Sequence, residues 1–134
     1  MSVKVFFDTN VLIYALAGND PRHERAEQLL AGGGVISVQV LNEFVSVARR
    51  KLSMPWHDVV NVLTVILILC PSPVPITLDT HKAALDIAQQ YGFGIYDALI
   101  TSSALEANCS TLYSEDLQDG QVIDRRLKIR NPFL

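Results

Sequence analysis

The sequence contains little cysteine and lacks an apolar run long enough to cross a membrane. Its only two cysteines, Cys70 and Cys109, are not part of a CxxC pair or a Cys/His cluster. This disfavours a zinc site or a disulfide scaffold, and it favours free thiols in the reducing cytoplasm. The most apolar run, residues 59–70, is interrupted by Asn61 and Thr64, and a membrane span needs ~20 apolar residues. We therefore expect a cytoplasmic protein, not a membrane protein, in which this run forms a buried helix or a dimer-interface helix.

The sequence also lacks a basic excess and the common motifs of nucleotide-binding proteins and hydrolases. It has 11 Lys and Arg residues against 14 Asp and Glu residues, a net charge of −3, which disfavours broad, non-specific binding of nucleic acid. The glycines at 32–34 lack the following lysine of a phosphate loop. With 49% hydrophobic and 19% charged residues, the composition is that of a globular chain. Its 134 residues fit a single domain over 1–134.

Short apolar segments alternate with helical patterns along the chain. This alternation predicts an α/β fold with a parallel sheet covered by helices on both faces. In such sheets the functional crevice lies beyond the carboxyl ends of the strands. The pattern predicts strands at 3–7, 35–38, 74–77 and 111–113, helices at 11–17, 21–31, 39–52, 55–69, 79–91 and 96–106, and a last edge strand or hairpin at 122–123 and 127–129.

Acidic residues follow two of the predicted strands at the point where each strand ends. Asp8 comes directly after the strand at 3–7, and Asp116 follows the strand at 111–113 after only two residues. Because the carboxyl ends of parallel strands meet at one edge of a sheet, both carboxylates should lie at that edge.

Two further acids lie on the apolar faces of predicted helices. Glu43 is three residues after Val40 and four before Val47, so it shares the apolar stripe of its helix. Asp97 lies in the first turn of its helix, on the same face as Ile100. A carboxylate on a core-facing stripe needs a partner, because burying a lone charge is very unfavourable.

Taken singly, each of these four acids could be a turn residue, a helix cap or the partner of an arginine. Taken together, all four fall where one crevice is expected. Four carboxylates at one edge repel each other, so either some are protonated at neutral pH or cations lie between them. Carboxylate oxygens are ligands that Mg²⁺ and Mn²⁺ prefer. The sequence therefore predicts a site for one or two Mg²⁺ or Mn²⁺ ions.

The segments around these acids resemble the motifs of the PIN-domain family, and of its VapC-like ribonuclease toxins in particular. The resemblance covers nearly the whole chain, with all motifs in family order. It is carried by DTNVLIY at 8–14, LNEF at 41–44, YDALI at 96–100, YSEDL at 113–117 and NPF at 131–133.

This resemblance implies a three-layer α/β/α domain with a four- or five-stranded parallel sheet. It also implies a metal-dependent endoribonuclease that leaves 5′-phosphate and 3′-hydroxyl ends, a homodimer and, for toxin members, a small antitoxin partner. The acids at the catalytic and metal-binding positions are Asp8, Glu43, Asp97 and Asp116. The supporting polar positions are Thr9, Asn10 and Ser114. Asp119 is either a secondary metal or water ligand or the turn residue before Gly120, and we favour the turn.

Two basic stretches are candidates for contacts with RNA phosphates. Arg49 and Arg50 end the Glu43 helix, and Arg125 and Arg126 belong to a second basic stretch near the chain end. The alternative for both is a solvated charged surface.

Three other functions compete with a ribonuclease. A nuclease acting on structured DNA would differ in its substrate, and a non-catalytic RNA-binding module would bind without cleaving. The presence of all four acids argues against the second. A phosphorylated receiver domain also has acids at strand ends, but it normally needs a lysine at a later strand end, and none is evident.

Overall fold

The computed structural model describes residues 3–16 and 19–134. Within these residues, six helices lie between the first strand and the last three strands, so strands and helices do not alternate as the sequence pattern predicts. Their order is β1 (Val5–Phe7), α1 (Thr9–Leu16), α2 (His23–Ala31), α3 (Val38–Arg50), α4 (Trp56–Leu69), α5 (Leu78–Tyr91), α6 (Ile95–Glu106), β2 (Thr111–Tyr113), β3 (Val122–Ile123) and β4 (Leu127–Arg130).

The sheet has four strands in the order β1-β2-β4-β3. β1 pairs with β2 and β2 pairs with β4 in parallel, whereas β3 pairs antiparallel with β4. The prediction of a four-stranded sheet is confirmed, but the prediction that all its strands are parallel is wrong for β3. β3 and β4 are joined by a turn of three residues, and so short a connection permits only an antiparallel hairpin.

The strands predicted at 35–38 and 74–77 are reduced to single parallel bridges. Val35 bridges to Phe6, and Ser37 bridges to Val74. Ser37 already caps α3, since its side chain accepts a hydrogen bond from the backbone N–H of Val40, so no room remains for a longer strand. Prolines flank Val74 on both sides, and proline has no N–H to donate to a sheet.

The core lies on both faces of β1. Phe6 and Phe7 point to opposite faces of the strand, yet both are completely buried. On β4, by contrast, Leu127 and Ile129 are buried while Lys128 is exposed. Helices therefore cover β1 from two sides, which confirms the predicted layered α/β arrangement.

Helix boundaries follow local signals that the sequence contains. α1 begins at Thr9, directly after Asp8, so that acid lies between a strand end and a helix start. The predicted end of this helix at Ala17 lies outside the described residues. α2 begins at His23, not at residue 21, and α5 ends at Gly92 in the left-handed conformation, which glycine adopts without strain.

The apolar segment at 59–70 forms most of α4, and it is only partly buried. Val59 and Ile66 are buried, but Ile68 is 73% exposed and Val60 is 57% exposed. The prediction of a buried helix is therefore wrong for one face of α4. Within the described chain, no helix combines the length and apolarity needed to cross a bilayer. Cys70 and Cys109 are buried free thiols, as predicted.

Candidate active site

Four segments of the chain bring the predicted acids towards the carboxyl edge of the sheet. β1 and β2 are parallel neighbours, and the backbone N–H of Asp8 donates to the carbonyl oxygen of Tyr113 at 3.0 Å. Asp8 and Asp116 therefore leave the sheet at the same edge. Glu43 comes from the middle of α3 and Asp97 from the first turn of α6.

Asp8 is almost completely buried and strongly held. Its Oδ1 accepts from the backbone N–H of Thr9 at 2.7 Å, and its Oδ2 accepts from the Ser114 hydroxyl at 2.6 Å. Burial raises the pKa of Asp8 to about 7 despite these hydrogen bonds, and repulsion from Asp116 and Glu43 adds to the rise. The Asp8 carboxylate is therefore strained as an anion unless a positive charge is near.

Glu43 is half-buried and oriented by two side chains. The Thr9 hydroxyl donates to Oε1 at 2.8 Å, and the Gln39 amide donates to Oε2 at 3.0 Å. Both carboxylate oxygens are thus fixed in position. Gln39 was missed in the sequence reasoning, although its place one helical turn before Glu43 was the available signal.

Asp116 is positioned through Asn10 and Ser114. The Asn10 amide nitrogen donates to Asp116 Oδ2 at 3.3 Å, and its amide oxygen accepts from the backbone N–H of Glu115 at 3.4 Å. The Ser114 hydroxyl, which donates to Asp8, also accepts from the backbone N–H of Asp116 at 3.2 Å. The structure therefore places the predicted polar side chains beside the acids, where they fix carboxylate orientation.

Asp97 completes the group electrostatically. Its pKa is raised by burial and then by repulsion from Asp116 and Glu43. Since both Asp8 and Asp97 experience this repulsion, the four acids share one electrostatic environment. Among the ion pairs of the described residues, none involves any of these four acids.

This donor set fits a hard divalent cation in its chemistry. All four side chains offer carboxylate oxygens, and their mutual repulsion would be relieved by positive charge. Across residues 3–16 and 19–134, no three His, Cys, Asp or Glu side chains converge closely enough to form a ready-made metal cluster. Mg²⁺ characteristically keeps several waters and uses only one or two carboxylates, so this open arrangement is compatible with it.

A second polar network lies directly beside the acids and was not anticipated from the sequence. The Arg22 guanidinium pairs with Asp20 and Glu115 and lies 4.1 Å from the centre of the Tyr14 ring. The Tyr14 hydroxyl donates to Glu115 at 2.6 Å. Burial and this carboxylate raise the pKa of Tyr14 to about 12, and the hydrogen bonds from Arg22 lower the pKa of Asp20 to about 2. The network anchors the residue that precedes Asp116.

The basic residues at the end of α3 occupy different environments. Arg50 lines a cavity of about 440 Å³ together with Glu43 and Asp116. Arg49 points elsewhere: its guanidinium donates to the Met54 carbonyl oxygen at 2.8 Å and lies 4.5 Å from the Trp56 ring centre. Of these two arginines, therefore, the structure brings only Arg50 to the acids.

Arg125 and Arg126 lie away from the acids. Both residues form the turn before β4. Because β4 runs parallel to β2, this turn lies at the edge of the sheet opposite to the acids. Arg126 donates to the Leu105 carbonyl oxygen at 3.1 Å. The side chain of Asp119 accepts from the backbone N–H of Asn131 at 2.8 Å, which agrees with the turn role that the sequence favours.

Comparison with solved structures finds similar folds among bacterial toxins. VapC20 of Mycobacterium tuberculosis, described as a sarcin-ricin loop cleaving toxin, aligns with a TM-score of 0.70 and 19% identity over 83% of this chain and 88% of that one. A toxin–antitoxin complex from Klebsiella pneumoniae aligns with a TM-score of 0.73 and 20% identity over 97% and 98% of the two chains. VapBC2 of Rickettsia felis, bound to a promoter DNA fragment, aligns with a TM-score of 0.67 and 21% identity over 96% and 100%.

Comparison with family profiles is more decisive, whereas comparison with curated protein sequences finds no match. The profile of the PIN domain matches residues 5–119. This range contains β1 to β2, with Asp8, Glu43, Asp97 and Asp116. The chain belongs to the PIN domain family.

Proposed function

We propose that this protein is a Mg²⁺- or Mn²⁺-dependent endoribonuclease and the toxin of a toxin–antitoxin pair in the cytoplasm. The observation that carries the proposal is the hydrogen-bonded arrangement of Asp8, Glu43 and Asp116, which Thr9, Asn10 and Ser114 link at one edge of the sheet. Asp97 is added because Asp116 and Glu43 help to raise its pKa. The family membership and the likeness to a toxin that cleaves the sarcin-ricin loop support the same reaction class.

In this proposal the acids hold the metal, and their polar neighbours hold the acids in position. Asp8, Glu43, Asp97 and Asp116 would hold one or two ions, and such ions supply an activated water and stabilise charge on the phosphate. Thr9 and Gln39 keep Glu43 in a fixed orientation, and Asn10 does the same for Asp116. Ser114 links Asp8 to the backbone of Asp116, so the two strand-end acids keep a constant relative position while substrate binds.

Cleavage assays with matched substrates and variants test this function. RNA and DNA oligonucleotides of the same sequence are incubated with Mn²⁺, Mg²⁺ or EDTA, and the products are examined for 5′-phosphate ends. We expect RNA cleavage that depends on the metal and is lost in Asp97→Asn. Asp86→Asn, which alters an exposed acid on α5, is the control and should retain activity. Cleavage in EDTA, or full activity in Asp97→Asn, would refute the assignment.

The exposed apolar face of α4 supports an antitoxin partner. Val60, Leu67 and Ile68 recur at helical spacing, and each is at least 44% exposed. Leu52, at the end of α3, adds to the apolar surface beside the cavity of the acids. Exposed patches of this kind mark interaction sites, and the similar structure from Klebsiella pneumoniae is a toxin–antitoxin complex. We propose that an apolar helix of a small antitoxin packs on this face.

Replacing Ile68 by glutamate tests that surface. Co-purification with the product of an adjacent small gene should be lost in Ile68→Glu and kept in Gln89→Glu, a change at an exposed polar position of α5. The proposed homodimer is measured separately by light scattering of the isolated protein. If Ile68→Glu converts a dimer to a monomer but leaves antitoxin binding intact, α4 is the dimer interface instead.

A further inference from the structure

Two cavities meet along α3 and form one groove. The cavity at the acids has a volume of about 440 Å³, and a second cavity of about 390 Å³ lies next to it. Glu43, Ser46 and Arg50 line both, so these three side chains form their common wall. We call the second one the Tyr96 cavity, because the Tyr96 side chain lines it from α6. A ligand at the acids can therefore continue into the Tyr96 cavity without leaving the surface.

Tyr96 is unusually exposed for an aromatic residue next to a buried site. It is 64% exposed, although it immediately precedes Asp97 and the following residues of α6 are buried in the core. Its ring therefore contributes little to folding. A large aromatic surface that is accessible to solvent and borders a cavity is suited to stacking against a flat partner.

The remaining walls of the Tyr96 cavity are polar. Gln39 and Asn42 contribute side-chain amides, and the Gln39 amide is oriented by its hydrogen bond to Glu43. Arg50 is exposed at the junction of the two cavities. An aromatic face, amides that can donate and accept hydrogen bonds, and one cation at the boundary are the groups by which proteins recognise an unpaired base and its phosphate.

We propose that the Tyr96 cavity is a subsite for one unpaired RNA base next to the phosphate that is cleaved. Tyr96 stacks on the base, Asn42 hydrogen-bonds to its edge, and Arg50 contacts the phosphate that connects this base to the acids. The base must be unpaired, because a base inside a duplex already has both faces stacked and its pairing edge occupied. This inference rests on the proposed function and assigns Tyr96, Asn42 and Arg50 to binding of the base next to the cleaved phosphate.

Fluorescence of 2-aminopurine, placed at single positions of a short single-stranded RNA, tests the subsite. Stacking quenches the probe, so titration with the wild-type protein in EDTA should quench it at one position. Tyr96→Ala should abolish the quenching and weaken RNA binding by about 5- to 150-fold, the range expected for loss of one stacked base. Tyr96→Phe keeps the ring and should restore both. Trp56→Ala is the control, since Trp56 is 58% exposed but lines neither cavity.

The outcomes separate the subsite from the nuclease. Unchanged quenching and affinity in Tyr96→Ala would overturn the subsite, as would equal competition by fully paired RNA or a wild-type protein that quenches no probe position. Because binding is measured in EDTA, where metal-dependent cleavage does not occur, these results do not depend on catalysis. A wild-type protein that binds RNA through Tyr96 but cleaves nothing in Mn²⁺ would contradict the nuclease and leave the subsite standing.

Discussion

Replacing Asp8 by asparagine should make the metal-free protein more stable while it abolishes cleavage. Asp8 is only 2% exposed, and burial, with repulsion from Asp116 and Glu43, raises its pKa to about 7. At neutral pH the folded state therefore carries an electrostatic penalty that the unfolded chain does not. Asparagine has nearly the same shape but no charge, so it removes the penalty together with the proposed metal ligand.

The pKa shift determines the sign and size of this effect. At a pH between the ordinary pKa of 3.8 and the folded pKa of about 7, Asp8 keeps its proton in the folded protein but has lost it in the unfolded chain. The free energy of unfolding consequently falls as the pH rises through this window, by about 4 kcal/mol in total. One amide hydrogen of asparagine would lack an acceptor, which costs about 1–3 kcal/mol. At neutral pH and above, the free energy of unfolding should then rise by about 1–3 kcal/mol. Each kcal/mol corresponds to about 3–4 °C in Tm for a chain of this size.

Urea unfolding in EDTA measures this gain across the titration window. Midpoints are compared between about pH 4.5 and about pH 8, a range that covers most of the window between the two pKa values. Wild-type stability should decline with rising pH, and Asp8→Asn should show a smaller decline and a higher midpoint at the alkaline end. Asp86→Asn, at an exposed position, should follow the wild type. Added Mn²⁺ should stabilise the wild type and have less effect on Asp8→Asn.

Two results would refute this reasoning. If Asp8→Asn is less stable than the wild type at the alkaline end, the hydrogen bonds from Thr9 and Ser114 outweigh the charge penalty, and Asp8 is a structural anion. If wild-type stability does not change through the window, the Asp8 carboxylate is not strained in the folded state. Either result would remove the electrostatic argument for a cation at this site.

Three further predictions concern the neighbourhood of the acids. Arg50→Glu should weaken RNA binding and reduce its salt dependence, whereas Arg49→Glu should not, because Arg49 lies against Trp56. Equal effects of the two changes in a filter-binding titration would contradict the assignment of Arg50 to the RNA-binding groove. Arg22→Gln should reduce cleavage by about 10- to 100-fold with little change in Tm, since Arg22 orients Glu115 beside the acids; unchanged kcat would show that the network is only structural. Mn²⁺ at about 100 times its Kd should raise the free energy of unfolding by about 2.7 kcal/mol, and a flat Tm across the titration would argue against a metal site.

The order of elements and the candidate acids could be predicted from the sequence because both depend on local patterns. A buried strand followed at once by Asp8, and a second followed within three residues by Asp116, place two carboxylates at one edge of any parallel sheet. Glu43 and Asp97 stand out because each is an acid on an apolar helical stripe. Ser37 as a helix cap and Gly92 as a helix end depend on their own backbone and a few neighbours, so the sequence alone identifies them.

Only the tertiary structure decided which segments distant in sequence come into contact. Arg22 and Glu115 are 93 residues apart, and no local pattern pairs them. The difference between Arg49 and Arg50 depends on where Trp56 packs. The groove joining the acids to Tyr96 requires α3 and α6 to lie side by side. Local periodicity determines which residues face the core, whereas the packing of whole elements determines which of them meet.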